Sequence, residues 1–327
     1  MEIPLFKTKI TPPLVQPNSL FRPSLILSLE EAFRNGRKLA LLSAPAGYGK
    51  TTLLSQWLER EEHSAAWFSI DERDDQAPRF FRYWIAAISV LEESVSPTFQ
   101  KVFQAPQFHP QMLVEKLIQH LQELPNEKLI FIFDDFQHIR QKKILESIDF
   151  LIRHLPVNVF LIVSTREDPI LPLPVLRAKG EMVELRQKDF CLNEQESLQL
   201  LQKTEGIAVG PEDLKRFMEN TEGWITGLHF AAIAARDVAS SDDSDEHKGP
   251  GAVFRSFLSQ RHYILEYLFE EILSKQPEPI RLFLTFSSIF ERIGVELCDV
   301  VIIPILMRVL AEKKFWGYAL DSGAPHM

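Results

Sequence analysis

The sequence predicts an α/β fold in which a parallel sheet is covered by helices on both faces. Three observations carry this. Leu39 to Leu42, Leu129 to Phe133 and Val159 to Val163 are short unbroken apolar runs, as expected of strands buried on both sides. Amphipathic helical stripes separate them, the alternation that a parallel sheet requires. A glycine-rich turn, Ala44 to Thr51, stands directly between the first run and a helix.

In order along the chain, residues 1–24 form an arm rich in proline (Pro12, Pro13, Pro17, Pro23), extended and laid over a neighbour. Ser24 to Phe33 reads as a helix that stops near Asn35-Gly36. Strand 39–42 leads through the glycine-rich turn into a helix from Thr51 to Leu58. Ala65 to Ile70 is a second strand, and Phe80 to Leu91 a helix apolar on most sides. Leu113, Leu117, Leu121 and Leu124 mark one face of the next helix. After strand 129–133, Ile144, Ile148, Leu151 and Leu155 mark another, followed by strand 159–163 and a weaker strand, Met182 to Leu185. The domain from 25 to 189 therefore reads as one sheet with its helices.

Residues 190–239 turn helical. Asn193 followed by Glu196 is a capping box, Pro211 suits a first helical turn, and Trp224 to Ala235 forms a third helix. Residues 240–251, with Ser240, Ser241, Asp242, Asp243, Ser244, Asp245 and Glu246, lack core formers and read as a mobile acidic linker. Residues 252–327 are again helical in character, with Leu265, Leu268, Ile272, Leu282, Phe283 and Phe286 at helical spacing.

Of 327 residues, 45% are hydrophobic and 25% charged, a globular balance. The formal net charge of -9 argues against broad attraction to nucleic acid or anionic lipid. Cys191 and Cys298 are far apart and lack metal-ligand spacing, so both are expected as thiols in a reducing cytoplasm. No apolar run reaches membrane-spanning length, and no membrane partner is expected.

Ala44-Pro45-Ala46-Gly47-Tyr48-Gly49-Lys50-Thr51 fits a phosphate-binding loop of Walker A type, with alanine in the first glycine position. Residues Ala46 to Thr52 are the candidates for holding ATP or ADP: Ala46, Gly47, Tyr48, Gly49, Lys50, Thr51 and Thr52. Gly47 and Gly49 allow backbone N–H groups to close round a phosphate, Lys50 bridges the β- and γ-phosphates, and the Thr51 hydroxyl binds Mg²⁺. Asp134 and Asp135, ending an apolar strand, fit the partner Walker B motif. Asp134 is then the second magnesium ligand and Asp135 the acid that orients water for attack. Arg166, after strand 159–163, is either a γ-phosphate sensor or an ordinary arginine at a strand end. Asp71 to Asp75 reads as a solvated turn.

The ordered series of motifs resembles the STAND-class signal-transduction ATPases, specifically the regulatory part of MalT-type LuxR-family transcriptional regulators. The resemblance rests on Lys9-Ile10-Thr11-Pro12-Pro13 with Arg22-Pro23, Lys38 to Thr52, Ala66 to Glu72, Arg79-Phe80, the two aspartates, and Ser164-Thr165-Arg166. It continues through Thr221-Glu222-Gly223-Trp224, Gly227-Leu228 and Phe283 to Asp299, and so spans residues 5–299. It implies an ATPase core, a helical lid at 190–239 and a winged-helix-like domain from 252, together forming a slowly hydrolysing switch. It also implies that Arg22 lies near the nucleotide and that Trp224 and Gly227 face it, although Trp224 equally suits core packing between lid helices.

Two departures matter. The family's lid proline is missing from Gly223-Trp224-Ile225-Thr226-Gly227, and the family's sensor region and helix-turn-helix have no counterpart after Asp299. The end from Gly317 resembles an unselected tail, as a frameshift or early stop leaves, and the winged-helix-like part is expected to be incomplete. From this follow expectations of self-association through uncovered apolar surface and of no DNA binding by this chain alone. The competing readings are a vestigial loop in an interaction module and an ATPase acting on another substrate.

Overall fold

In a computed structural model the structure describes residues 5–95, 99, 102–103, 108–124, 128–205, 209–239, 266–267, 269–274, 276–288, 290, 294–304 and 307. Five strands, β1 (Leu39–Ser43), β2 (Ala65–Ser69), β3 (Leu129–Asp134), β4 (Val159–Thr165) and β5 (Met182–Arg186), form one sheet in the order β2-β3-β4-β1-β5. Every pairing is parallel. All five strands stand where the apolar runs place them.

The runs are unbroken because both faces of the sheet are covered. Strand side chains alternate between faces, and here the alternation sorts them into two separate cores. Leu39, Leu41, Phe131, Phe133, Leu161 and Val163 pack with α3 (Ala77–Leu91), α4 (Pro110–Glu123) and α5 (Lys142–Arg153). Ala40, Leu42, Ile130, Ile132, Phe160 and Ile162 pack with α1 (Pro23–Arg34) and α2 (Lys50–Arg60). Each fully buried Leu, Ile or Phe among them contributes about 1.5–3 kcal/mol. Proline stands in the first turn of α1, α3 and α4, where its missing N–H costs nothing. Helix α3 begins three residues earlier than its apolar pattern suggests, because Gln76 and Ala77-Pro78 already supply a start.

The arm makes one 3₁₀ turn, Lys7–Lys9, and is anchored at both ends. Phe6 N–H donates to Tyr83 Oη, and Gln56 Nε2 donates to Ser19 Oγ and the Leu20 carbonyl. Its anchor corrects the reading of Asp71 to Asp75 as a solvated turn. Asp74 is fully buried, paired with Lys9 and with Arg79 (2.8 Å). Asp75 accepts the backbone N–H groups of Arg140 and Gln141. The acidic run is a structural junction between arm, α3 and the segment after β3.

Two short helices, α6 (Leu173–Lys179) and α7 (Gln187–Phe190), lie on either side of β5 in sequence. Then α8 (Glu194–Glu205), α9 (Pro211–Thr221) and α10 (Ile225–Ala239) make the small helical unit. The expected capping box opens α8: Asn193 Oδ1 accepts Glu196 N–H at 2.9 Å, and Glu196 Oε2 accepts Asn193 N–H at 3.1 Å. Gly223 joins this unit to the end of the core. It has φ 74°, its carbonyl accepts Leu192 N–H, and an added Cβ would stand 2.7 Å from the Leu192 oxygen. Gly223→Ala is therefore expected to cost about 2–3 kcal/mol, read as a melt several degrees lower by circular dichroism. An unchanged melt would show that this junction yields freely.

The chain divides after Ser259 into a second compact unit. Among its described residues are the helix Glu278–Ser287 and helical turns at Phe269–Leu273, Val295–Leu297 and Cys298–Ile302. The acidic linker and the expected apolar positions Leu265 and Leu268 lie outside the described residues. Among the described residues no helix is long and apolar enough to cross a membrane.

Candidate nucleotide site

Strand β1 delivers the glycine-rich turn to the carboxyl edge of the sheet, where open α/β folds place their ligands. Gly47 and Gly49 take φ of 78° and 80°, a left-handed backbone that glycine alone adopts without steric cost. Lys50 is the first residue of α2. Its Nζ donates to the Ala44 carbonyl at 2.6 Å and the Pro45 carbonyl at 3.0 Å, which leaves its third proton to a ligand at the loop. Burial pulls the Lys50 ammonium down to about 8, against the pull of Asp135 and Asp134, while Arg166 adds to the lowering.

Strand β4 separates β1 from β3, so the turn and Asp134 are two strand spacings apart, roughly 10 Å. The first turn of α2 bridges that gap. Thr51 Oγ1 donates to Asp134 Oδ2 at 2.8 Å, joining residues 83 positions apart. The other carboxylate oxygen, Asp134 Oδ1, is buried with no hydrogen-bond partner, as is Ser164 Oγ on the intervening strand. Burial, reinforced by Asp135, raises Asp134 to about 6. A hard cation fits this arrangement: one hydroxyl and one carboxylate, with an oxygen of that carboxylate unsatisfied in a dry position.

Asp135 follows in a left-handed conformation, φ 59°, which re-aims the chain out of β3 into a 3₁₀ turn, Phe136–His138. Its Oδ1 accepts Gln137 Nε2 at 2.8 Å. Gln137 Oε1 in turn accepts the backbone N–H of Arg166 at 3.1 Å. Arg166 thus starts from the same edge as the Asp134 and Asp135 pair, as its place after β4 predicts. Gln137 escaped sequence reasoning, since a glutamine two residues past an acidic pair carries no spacing signal.

The helical unit closes over the turn. Trp224 Nε1 donates to the Ala46 carbonyl at 3.0 Å, and Thr226 donates twice to the Gly47 carbonyl, from Oγ1 at 2.9 Å and from N at 3.2 Å. A Cβ on Gly47 would lie 2.4 Å from Thr226 Oγ1 and 2.8 Å from Trp224 Nε1. Trp224 therefore touches the loop itself. Beside the loop lies a cavity of about 330 Å³ walled by the arm (Gln16, Asn18), the loop (Tyr48, Gly49, Thr52) and the helical unit (Ile225, His229). Tyr48 keeps its ring in that wall while its hydroxyl accepts from Gln187 Nε2 at 2.9 Å.

Arg22 also lines the cavity, but its charge is already committed. Nε and Nη2 each donate to Glu196 at 3.0 Å, Nη2 also reaches the carbonyls of Asp189 and Cys191, and Nη1 donates to the Phe190 carbonyl. It clamps the arm to the end of α7 and the start of α8. The resemblance places Arg22 near the nucleotide; the geometry places it in the wall, facing Glu196.

Comparison with known proteins agrees with a P-loop fold. The AAA ATPase domain family matches residues 24–163. The HTH-type transcriptional regulator MalT of Yersinia pestis (strain Pestoides F) is 29% identical over 98% of this chain and 35% of its own length. MalT of Yersinia enterocolitica is 29% identical over 87% of this chain and 30% of its own. The chain thus spans about a third of the length of these relatives. A Walker-type ATPase of Pyrococcus abyssi superposes over 92% of this chain and 91% of its own with a TM-score of 0.53 at 14% identity, a likeness of fold. The core is a P-loop ATPase fold that carries an AAA ATPase domain match, and the chain is similar over nearly all its length to about a third of the MalT transcriptional regulators.

Proposed function

We propose that this chain is an ATP- and ADP-binding switch module that hydrolyses ATP slowly and signals through its helical lid. The observation that carries the proposal is the Thr51–Asp134 bond, which brings the two phosphate-site motifs together and leaves Asp134 Oδ1 buried and unpaired. Ala46 to Thr52 hold the phosphates, with Lys50 as the counter-charge. Thr51 and Asp134 hold Mg²⁺, which neutralises developing charge on the phosphates when bound. Asp135 holds the attacking water, and Arg166 senses the γ-phosphate. The apolar cavity beside the loop takes the nucleoside, with Arg22 closing its wall.

The hydrogen bonds from Trp224 and Thr226 to the loop carbonyls support a switch, because any loop adjustment round a phosphate moves lid contacts directly. The reading includes self-association of the chain and, given its net charge of -9, no DNA binding by this chain alone. Mass spectrometry of small molecules released from the purified protein tests the reading, with ADP or ATP expected. Asp135→Asn is expected to bind Mg-ATP nearly as wild type does but to hydrolyse it at least tenfold more slowly, since a positioned base contributes ~10²–10⁴. Single-turnover hydrolysis at the wild-type rate would remove Asp135 from this role.

A further inference from the structure

The amide of Gln137 is held at both ends, and the two ends belong to different parts of the site. Its Nε2 donates to Asp135 Oδ1 at 2.8 Å, and its Oε1 accepts Arg166 N–H at 3.1 Å. This fixes which end of the amide points where: only nitrogen can serve the carboxylate and only oxygen the N–H. Asp135 needs such a guide. Its left-handed backbone, φ 59°, turns it out of β3, and it stands before the 3₁₀ turn without capping it through its side chain.

We propose that Gln137 is a positioning residue for hydrolysis: it aims the Asp135 carboxylate and couples it to the backbone that carries Arg166. The inference rests on the ATPase reading above. The N–H of Arg166 sets the depth of the amide oxygen, and the amide nitrogen sets the rotation of the carboxylate. A displacement of the Arg166 segment is thereby passed to the acid through two hydrogen bonds. Since the link joins the end of β4 to the end of β3, it offers a route by which a contact at Arg166 could align the acid. Gln137 touches no phosphate-loop residue in this chain of bonds, so nucleotide affinity should not depend on it.

Two variants separate the halves of the bridge. Gln137→Ala removes both bonds. Gln137→Glu keeps size and keeps an oxygen for Arg166 N–H, but it replaces the donor with a second carboxylate beside Asp135. Steady-state hydrolysis of Mg-ATP should show kcat at least tenfold lower in both variants with KM within twofold of wild type. Hydrogen exchange of the Arg166 amide, measured without nucleotide, should speed up in Gln137→Ala and stay as in wild type in Gln137→Glu. A merely structural glutamine would let Gln137→Glu, with its amide protected, hydrolyse normally. That result, or unchanged exchange in Gln137→Ala, overturns the proposal. If wild type binds Mg-ATP but never turns it over, the hydrolytic reading fails and this role with it. Normal wild-type turnover with unaffected variants sinks the role of Gln137 alone.

Discussion

In Lys50→Ala, the thermal stabilisation that Mg-ATP or Mg-ADP gives the wild-type protein is expected to vanish almost entirely. A ligand at about 100 times its dissociation constant stabilises the native state by ~2.7 kcal/mol. For a chain of this size that is a melting shift of roughly 4 °C. Lys50 is buried at the loop, its ammonium held near 8 because burial opposes the charge. A phosphate beside it restores the charge's value, so binding energy and this side chain are tied together. Replacing it also frees the carbonyls of Ala44 and Pro45 that it holds, which loosens the loop. Differential scanning fluorimetry of both proteins, with and without nucleotide, gives the comparison. A variant that keeps more than half of the wild-type shift would mean that the phosphates lie elsewhere.

Asp134→Asn should act in opposite directions with and without ligand. The folded carboxyl titrates at about 6 against an ordinary value of 3.8, so ionising it costs the fold stability. The native state holds the extra proton between these values. Its contribution is therefore full below pH 3.8, falls as pH rises to about 6, and stays lost above that. The difference corresponds to about 3 kcal/mol, from which a weaker bond with Thr51 subtracts about 1. Without nucleotide, the asparagine variant should melt several degrees above wild type at pH 8 and close to it near pH 4. With Mg-ATP the order should reverse, because the variant offers magnesium no anionic oxygen. A variant less stable than wild type at pH 8 without nucleotide would show that the buried carboxylate is already neutralised by its surroundings.

The parts of the molecule legible in the sequence are those fixed by short-range pattern. The strands are buried on both faces, so continuous runs such as Leu129 to Phe133 announce them. The phosphate turn needs glycine at two left-handed positions, and Asn193 with Glu196 closes a cap within four residues. Helices α6 and α7, at seven and four residues, are too short for a helical period to register. Asp74 reads as solvated because its partners, Lys9 in the arm and Arg79 on α3, come together only in the folded chain. The contacts of the helical unit with the loop span still longer separations: Trp224 meets Ala46 and Thr226 meets Gly47 across 178 and 179 positions. Isolated hydrogen-bonding residues carry no periodicity, and Gln137 and Thr226 emerge only from the fold. Where the resembled family carries a proline, Ile225 stands beside Thr226, whose two bonds to Gly47 join this segment to the loop.

Isothermal titration of the nucleotide-stripped protein with Mg-ADP and Mg-ATP tests the central claim most directly. The expected result is saturable one-to-one binding that weakens sharply when magnesium is removed and is lost in Lys50→Ala. No binding of any purine nucleotide, by a protein that is folded and was purified without one, would contradict it.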